Sequence, residues 1–545
     1  MKHFALWCVV TLFLPITLHA KSCMTDVVVD TKTQQIHWIL HFPKGSNGLT
    51  LPTLQEGDTT FSWTVDGERA RLTSGQLTLS APNTTTVTLQ SKIPAASIRR
   101  DRVYPPLIRF SDGTIALYAP YFLGGDRKTS TDCIGFTAAG PDDFIYGGGK
   151  SHVRSLGLSA AFAGYLAFGK PLTNIHDGVL YVYDRSLPKW AKAKIDEISH
   201  SALDYYREKL GNVTVPTVFA FWNSAGSMQP YHWGDRLPDS ITLGLYGSGW
   251  EVSSADRVAE IENFLDHELF HIWNSIPTPR ENKNTLLAVE GGAELAKAIL
   301  LDSRMKNSGG LLSSVTDALN ACELDLPDSS ALDATLNTAS PGRVPYSCGM
   351  VYMFALSSVS GRETADVANA FFQIWRTAMV SHRDIPYALD DLISPNTNSQ
   401  LLDNLHQALG TSDNFVPSMR KVLIAEGYAV TPVAGTPQLR WRLASKILMN
   451  LMGQDCQGDV SFWTTPMGFQ LDQHLPRCKS LKANGVVTTI LGVTPWENPI
   501  ALNDRLRSLC KKGATVSVGY SSNLPPSQVY CKGTIPSLLL PLRIQ

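Results

Sequence analysis

Asp266 to Asn274 reads Asp-His-Glu-Leu-Phe-His-Ile-Trp-Asn, and nineteen positions after its second histidine comes Glu290, in Leu286-Leu287-Ala288-Val289-Glu290-Gly291-Gly292. On a helix, His-Glu-x-x-His sets two imidazoles one turn apart on one face, where both reach a single ion. The surrounding residues keep a helical period. Val258, Ile261, Leu265, Leu269 and Ile272 form an apolar stripe. Glu260, Phe264, His267, His271 and Asn274 fall opposite, with Glu268 on the flank, so the ligand face is expected to turn away from the packed face. Zinc takes nitrogen and oxygen donors, and a catalytic site keeps its fourth position for water. The pattern predicts one Zn2+ per chain, held by His267, His271 and Glu290. Two neutral imidazoles and one carboxylate leave such a site positively charged, which lowers the pKa of water from about 15.7 towards about 7. Glu268 is left as the candidate base.

Composition narrows the partners. Lys and Arg number 47 against 48 Asp and Glu, for a net charge of -1, with no basic run. A nucleic acid or an anionic membrane surface needs clustered positive charge, so neither is expected. With 545 residues, 43% of them hydrophobic, the chain can bury several cores, and its length suggests roughly three or four domains. Residues 1–20 read as a signal peptide: Lys2 and His3, an apolar stretch from Phe4 to Pro15, then Leu18-His19-Ala20 before Lys21. That stretch is shorter than the ~20 residues of a membrane span. No span is expected once it is removed, which points to a secreted or periplasmic protein.

Cleavage would also remove Cys8 and leave Cys23, Cys133, Cys322, Cys348, Cys456, Cys478, Cys510 and Cys531. An even number in an oxidising compartment predicts disulfides. Eight cysteines allow 105 pairings. Joining neighbours within each domain gives 23 with 133, 322 with 348, 456 with 478 and 510 with 531. There is no C-x-x-C pair to suggest a cysteine zinc site.

Residues 21–185 carry short β-rich runs at Val27–Val29, Ile36–Leu40, Phe61–Val65, Thr85–Leu89 and Leu107–Phe110, with Asp66-Gly67 and Asp112-Gly113 as expected hairpin turns. Gly147-Gly148-Gly149-Lys150-Ser151 lacks the first glycine of a phosphate loop, and no G-x-S-x-G elbow occurs. Longer helical periods begin at Ala191 and dominate to about residue 430, apart from strand candidates at Thr217–Trp222 and Ile241–Tyr246 and a polar insertion near residues 306–342. Thr431 to Pro437 reads as a linker, and the last hundred residues return to strands around a helix at Pro499–Cys510.

These motifs resemble the gluzincin metallopeptidases and, within them, the glycyl aminopeptidase family, over about residues 190–425. His267 to Asn274 is similar to that family's His-Glu-x-x-His-x-Trp-Asn signature, and Val289-Glu290-Gly291 to its Glu-Gly ligand motif. Val344-Pro345-Tyr346-Ser347-Cys348-Gly349 is similar to the Pro-Tyr-x-x-Gly segment that carries the transition-state tyrosine. The resemblance implies a multidomain α+β protein: an N-terminal β-sandwich-like domain (21–185), a thermolysin-like, mainly helical catalytic domain (186–430) and a C-terminal β-rich, PDZ-like domain (437–545). It implies zinc ligation by His267, His271 and Glu290, general base catalysis by Glu268 and oxyanion stabilisation by Tyr346, on a peptide or protein substrate. A fixed hydroxyl beside the reacting carbonyl is worth about 2.7–4 kcal/mol by analogy with other oxyanion donors. Glu294, one turn after Glu290, is placed either to orient a ligand histidine or to pair with Lys297.

One departure bears on substrate choice. Where aminopeptidases of the clan carry an acidic residue for the substrate's amino terminus, Gly244 to Trp250 holds no carboxylate, and Glu251 is the nearest. Both aminopeptidase-like and endopeptidase action follow from the motifs. The competing reading is a non-catalytic peptide-binding or adhesion protein with a structural zinc site.

Overall fold

A computed structural model describes residues 23–51, 61–93, 104–123, 133–224, 230–277, 284–306, 309–326, 332, 336, 342–360, 366–382, 385–393, 399–410, 412–433, 435–457, 462–472, 478–521, 524–533, 535 and 542–545. The expected signal peptide lies outside the described residues. Two compact units emerge: residues 1–192 with 215–253, and residues 193–214 with 254–545.

In the first unit, strands with period-two burial build two facing sheets. In Gln35–His41, Ile36, Trp38 and Leu40 point inward while their neighbours are half-buried. This strand lies in a six-stranded sheet with Thr25–Asp30, Thr64–Val65, Thr86–Lys92, Cys133–Ala138 and Ser155–Ser159. A five-stranded sheet contains Leu107–Arg109, Ile115–Tyr118, Phe144–Gly147, Lys150–Val153 and Tyr165–Gly169. Val27, Trp38, Leu89 and Ile134 of one sheet share a core with Leu117, Ile145, Leu166 and Phe168 of the other, which makes a sandwich. Asp112-Gly113 closes a hairpin, the Asp112 carboxylate accepting from the Thr114 amide at 2.9 Å. Asp66-Gly67 does not. Thr64–Val65 pairs with Thr86–Lys92 whereas Ala70–Thr73 pairs with Gln76–Leu79, so that turn carries the chain from one sheet to another.

A third, five-stranded sheet belongs to the same unit: Leu172–His176, Val179–Tyr183, Thr217–Asn223, Ser240–Tyr246 and Tyr231–Leu237, in that order. Its three inner strands run parallel, and every residue of Ser240–Tyr246 is buried. Parallel strands covered on both faces read as continuous apolar runs, which is how the sequence presents them.

Ten helices are seen among the described residues: α1 (Lys189–Leu210), α2 (Ala255–Asn274), α3 (Thr285–Arg304), α4 (Gly310–Asp325), α5 (Val344–Ser360), α6 (Val367–Ser381), α7 (Ser399–Gly410), α8 (Ser412–Ala425), α9 (Pro437–Asp455) and α10 (Pro499–Lys512). All but the first residues of α1 lie in the second unit. There, α3 and α5 cross with backbones touching: a Cβ on Gly291 would stand 2.0 Å from the Gly349 carbonyl carbon. Only glycine allows this approach. The glycines after Glu290 and Tyr346 therefore bring the two motif segments together.

The polar stretch expected as an insertion contains α4. Val315, Leu319 and Cys322 are buried at helical spacing, and Cys322 is bonded to Cys348 of α5. The expected linker is also partly structured. Val430–Pro432 pairs with Leu542–Ile544, and the Thr436 hydroxyl caps α9 by accepting from the Leu439 amide at 3.2 Å. Beyond it, an antiparallel five-stranded sheet (Phe462–Thr465, Gly468–Leu471, Val486–Ile490, Ala514–Tyr520, Ser527–Cys531) closes a core with α9 and α10 through Leu443, Ile447, Phe469, Val487, Leu506 and Val516. The four disulfides join Cys23 to Cys133, Cys322 to Cys348, Cys456 to Cys478 and Cys510 to Cys531, the neighbour pairing.

Candidate metal centre

Helix α2 starts where the Ser254 hydroxyl accepts from the Arg257 amide at 3.3 Å, with Asp256 in the favourable first turn. Four of the five residues of its apolar stripe are buried as the period requires, Ile261, Leu265, Leu269 and Ile272 each being 4% exposed or less, while Val258 near the start of the helix is half-buried. The opposite stripe departs from expectation. His267, His271 and Asn274 are buried too, because α3 packs over them and supplies polar partners that sequence period alone does not reveal. Polar groups on this buried half of the helix must be satisfied internally.

Several ties hold it. Asp266 is fully buried and meets the Arg304 guanidinium of α3 at 2.7 and 3.2 Å, while Arg304 also reaches Glu262 at 2.6 Å. Burial pushes the Asp266 carboxyl up to about 7, against the pull of Arg304. The Tyr206 hydroxyl donates to the Asp266 carbonyl at 2.9 Å, and the Trp273 indole donates to the Gly211 carbonyl at 2.9 Å. Sequence reasoning gave no role to Asp266, Trp273, Asn274 or Arg304.

Three ligand-type atoms converge. His267 Nε2 and His271 Nε2 are 3.1 Å apart, and Glu290 Oε2 stands 3.3 Å from the first and 3.5 Å from the second. A tetrahedral ion with bonds of about 2.0–2.1 Å has ligand–ligand edges of roughly 3.3–3.4 Å, so this triangle fits one face of such a polyhedron. On the far side of its ring, His267 Nδ1 lies 3.1 Å from Glu294 Oε1, an ion-pair contact outside hydrogen-bond geometry, and the Lys297 ammonium holds the other oxygen of Glu294 at 2.5 Å. Glu294 thus meets both partners the sequence proposed for it. In a neutral ring the carboxylate favours the proton on Nδ1, which leaves the Nε2 lone pair to face Glu290 and His271. His271 is held in the same way by Asn274, whose Oδ1 is 3.0 Å from Nδ1.

The electrostatics favour positive charge at this spot. Burial opposes a charged His267, yet its contacts with Glu290 and Glu294 raise it to about 10. Burial likewise opposes charge on His271, but Glu290 raises it. Glu290 is held well below the carboxylate range by the histidines despite burial, and Glu294 is lowered to about 2 by His267 and Lys297. Electron-rich groups this close and this dry call for a cation between them. The donor set, the spacing and the charge all fit Zn2+.

Glu268 is half-buried on the same helix, close enough that its charge raises both histidines. Tyr346, in the first turn of α5, stacks its ring on that of His267 with centroids 5.6 Å apart at 27°. All five expected site residues therefore fall in one cluster of the second unit. Glu251 is exposed in the first unit.

No protein-family profile and no curated protein matches this chain. Solved structures do. Over 96% of this chain and 97% of the other, it superposes on an aminopeptidase N family protein from Idiomarina loihiensis with a TM-score of 0.54 and 12% identity. The chain has an aminopeptidase N-like fold. That fold accounts for the β-rich first unit and the helical run from α2 to α8. A structure of Legionella pneumophila aminopeptidase A in complex with aspartic acid is more distant, with a TM-score of 0.41 and 13% identity over 70% of this chain and 49% of that one.

Proposed function

We propose that the protein is an exported zinc-dependent peptidase of the gluzincin type, related to the glycyl aminopeptidases. The observation that carries this reading is the triangle of His267, His271 and Glu290 with Glu268 on the same helix. A zinc ion held there supplies the positive charge that acidifies water and polarises the scissile carbonyl. Glu268 then takes the proton of the attacking water and returns it to the leaving amine. Tyr346 donates to the oxygen on which negative charge develops. Glu294 keeps the proton of His267 on Nδ1 throughout, and Lys297 keeps Glu294 ionised. A structural zinc site closes with four protein donors, whereas among the described residues this cluster offers three.

Export is supported by the four disulfides and by the leader-like first twenty residues. No helix among the described residues is long and apolar enough to cross a membrane. The catalytic part is assigned to residues 186–430. The five-stranded C-terminal module, residues 437–545, is assigned as PDZ-like on its sheet and two helices.

The test is Glu268→Gln. It should bind one zinc per chain like the wild type and lose about 10²–10⁴-fold in peptide hydrolysis. Hydrolysis that survives the substitution, or that does not follow zinc through removal and refilling, refutes the proposal. Mass spectrometry of products from a peptide library then separates removal of terminal residues from internal cleavage.

A further inference from the structure

Asn274 is completely buried at the end of α2 and makes two contacts that constrain one another. Its side-chain nitrogen lies 2.7 Å from the carbonyl oxygen of Val289, the residue before Glu290 on α3, and its side-chain oxygen lies 3.0 Å from His271 Nδ1. A backbone carbonyl can only accept. The Asn274 NH2 group must therefore face Val289, which turns its oxygen to His271. An amide oxygen can only accept, so the proton of a neutral His271 sits on Nδ1. Nε2 then carries a bare lone pair, and it is the atom 3.5 Å from Glu290 Oε2 and 3.1 Å from His267 Nε2.

We propose that Asn274 is a positioning residue that sets the tautomer of one candidate zinc ligand while tying it to the chain segment that bears another. The carbonyl of Val289 dictates the orientation of the amide, and the amide dictates which ring nitrogen of His271 is free to ligate. Helix α2 and helix α3 are thereby held in the register at which His271 and Glu290 address the same point. Sequence spacing suits Asn274 to this role, since it follows His271 by three residues and so shares its face of α2. The inference rests on the zinc reading and adds to it a reason why His271 binds through Nε2.

The test measures zinc itself, by competition against a chelator, together with thermal unfolding of the zinc-free protein. Asn274→Ala removes both contacts and should weaken zinc about 10–100-fold, the range seen when an outer hydrogen-bond partner of a metal-ligating histidine is lost. Asn274→Asp keeps an acceptor for His271 but turns an oxygen towards the Val289 carbonyl. It should retain zinc affinity within about threefold of wild type while lowering the unfolding midpoint as much as Asn274→Ala or more. Should Asn274→Ala not yield folded protein, Asn274→Ser, which is too short for either partner, takes its place with the same expected loss. Equal zinc affinity in the Ala and Asp variants, whether both weak or both like wild type, overturns the proposal by showing that Asn274 does not act through the His271 proton. A wild-type protein that binds no zinc would instead bring down the peptidase reading itself.

Discussion

Gly291→Ala puts one methyl group where α3 and α5 touch. Its Cβ would lie 2.0 Å from the Gly349 carbonyl carbon, 2.3 Å from Gly349 Cα and 2.4 Å from the Met350 nitrogen, all backbone atoms, whereas ordinary contact begins at 3.4 Å. No rotamer relieves this, so the helices must part by about 1.4 Å or bend. Inserting a methyl into a packed interior costs about 1–3 kcal/mol. A clash wholly with backbone belongs at the upper end of that range. The consequence for function is larger than the one for stability, since α3 carries Glu290 and α5 carries Tyr346. A misplacement of about 1 Å at a reacting site costs roughly 10²-fold in rate. Thermal unfolding and steady-state hydrolysis of one peptide should therefore show a lowered midpoint together with a fall in kcat of about that size. Gly292→Ala is the graded control, its Cβ meeting the Trp375 ring first, at 2.9 Å, and Gly453→Ala at an exposed position of α9, with nothing within 4 Å, should be neutral or slightly stabilising. If Gly291→Ala folds and turns over like the wild type, the close crossing does not exist and Tyr346 is not placed by it.

Other perturbations probe the rest of the second unit. Arg304→Ala removes the guanidinium paired with the fully buried Asp266 carboxylate, leaves it only the weaker pull of Lys297, and should destabilise the protein by about 3–5 kcal/mol, visible as a lower unfolding midpoint in zinc-free protein; an unchanged midpoint contradicts the buried ion pair. Burial alone raises Glu323 of α4 from 4.5 to about 7. Below about pH 4.5 the side chain is protonated in both folded and unfolded chains, between there and pH 7 only the unfolded chain gives up its proton, and stability is lost as pH rises across that window. Glu323→Gln should therefore match the wild type at pH 4 and exceed it in unfolding midpoint at pH 8. The same midpoint difference at both pH values refutes it.

How much of this was legible in the sequence depends on where each partner sits. His267, Glu268 and His271 announce themselves by spacing within a single helix, and Glu290 by its distance from them. The burial of His267, His271 and Asn274 was not readable, because a periodic pattern assigns polar residues to solvent by default. Their partners are Glu294 and the Val289 carbonyl on the next helix. Helix α4 was hidden by composition: serines, aspartates and asparagines suggested a polar insertion although Leu311, Val315, Leu319 and Cys322 keep helical spacing. Helix α9 was hidden by Pro437, read as a linker residue, when a proline after Thr436 is the first position of a capped helix.

The residues outside the chemistry then explain the shape of the motifs. In His-Glu-x-x-His-x-Trp-Asn, the tryptophan anchors α2 to the end of α1 and the asparagine anchors it to α3. In Glu-Gly and Pro-Tyr-x-x-Gly, the glycines are the crossing of α3 and α5. Three ligands drawn from two helices converge within 3.5 Å only if those helices are fixed to a fraction of that distance. The reacting groups alone are weak ties, since in the absence of an ion His267 and His271 gain little from facing each other and Glu290 is drawn only by their charge and hydrogen bonds. The helix register must come from contacts that persist with or without metal: Asn274 to Val289, Arg304 to Asp266, and Gly291 against Gly349. A site preorganised in this way binds its ion without paying for helix rearrangement, so zinc removal should leave the secondary structure unfolding at a modestly lower temperature and not dissolve it.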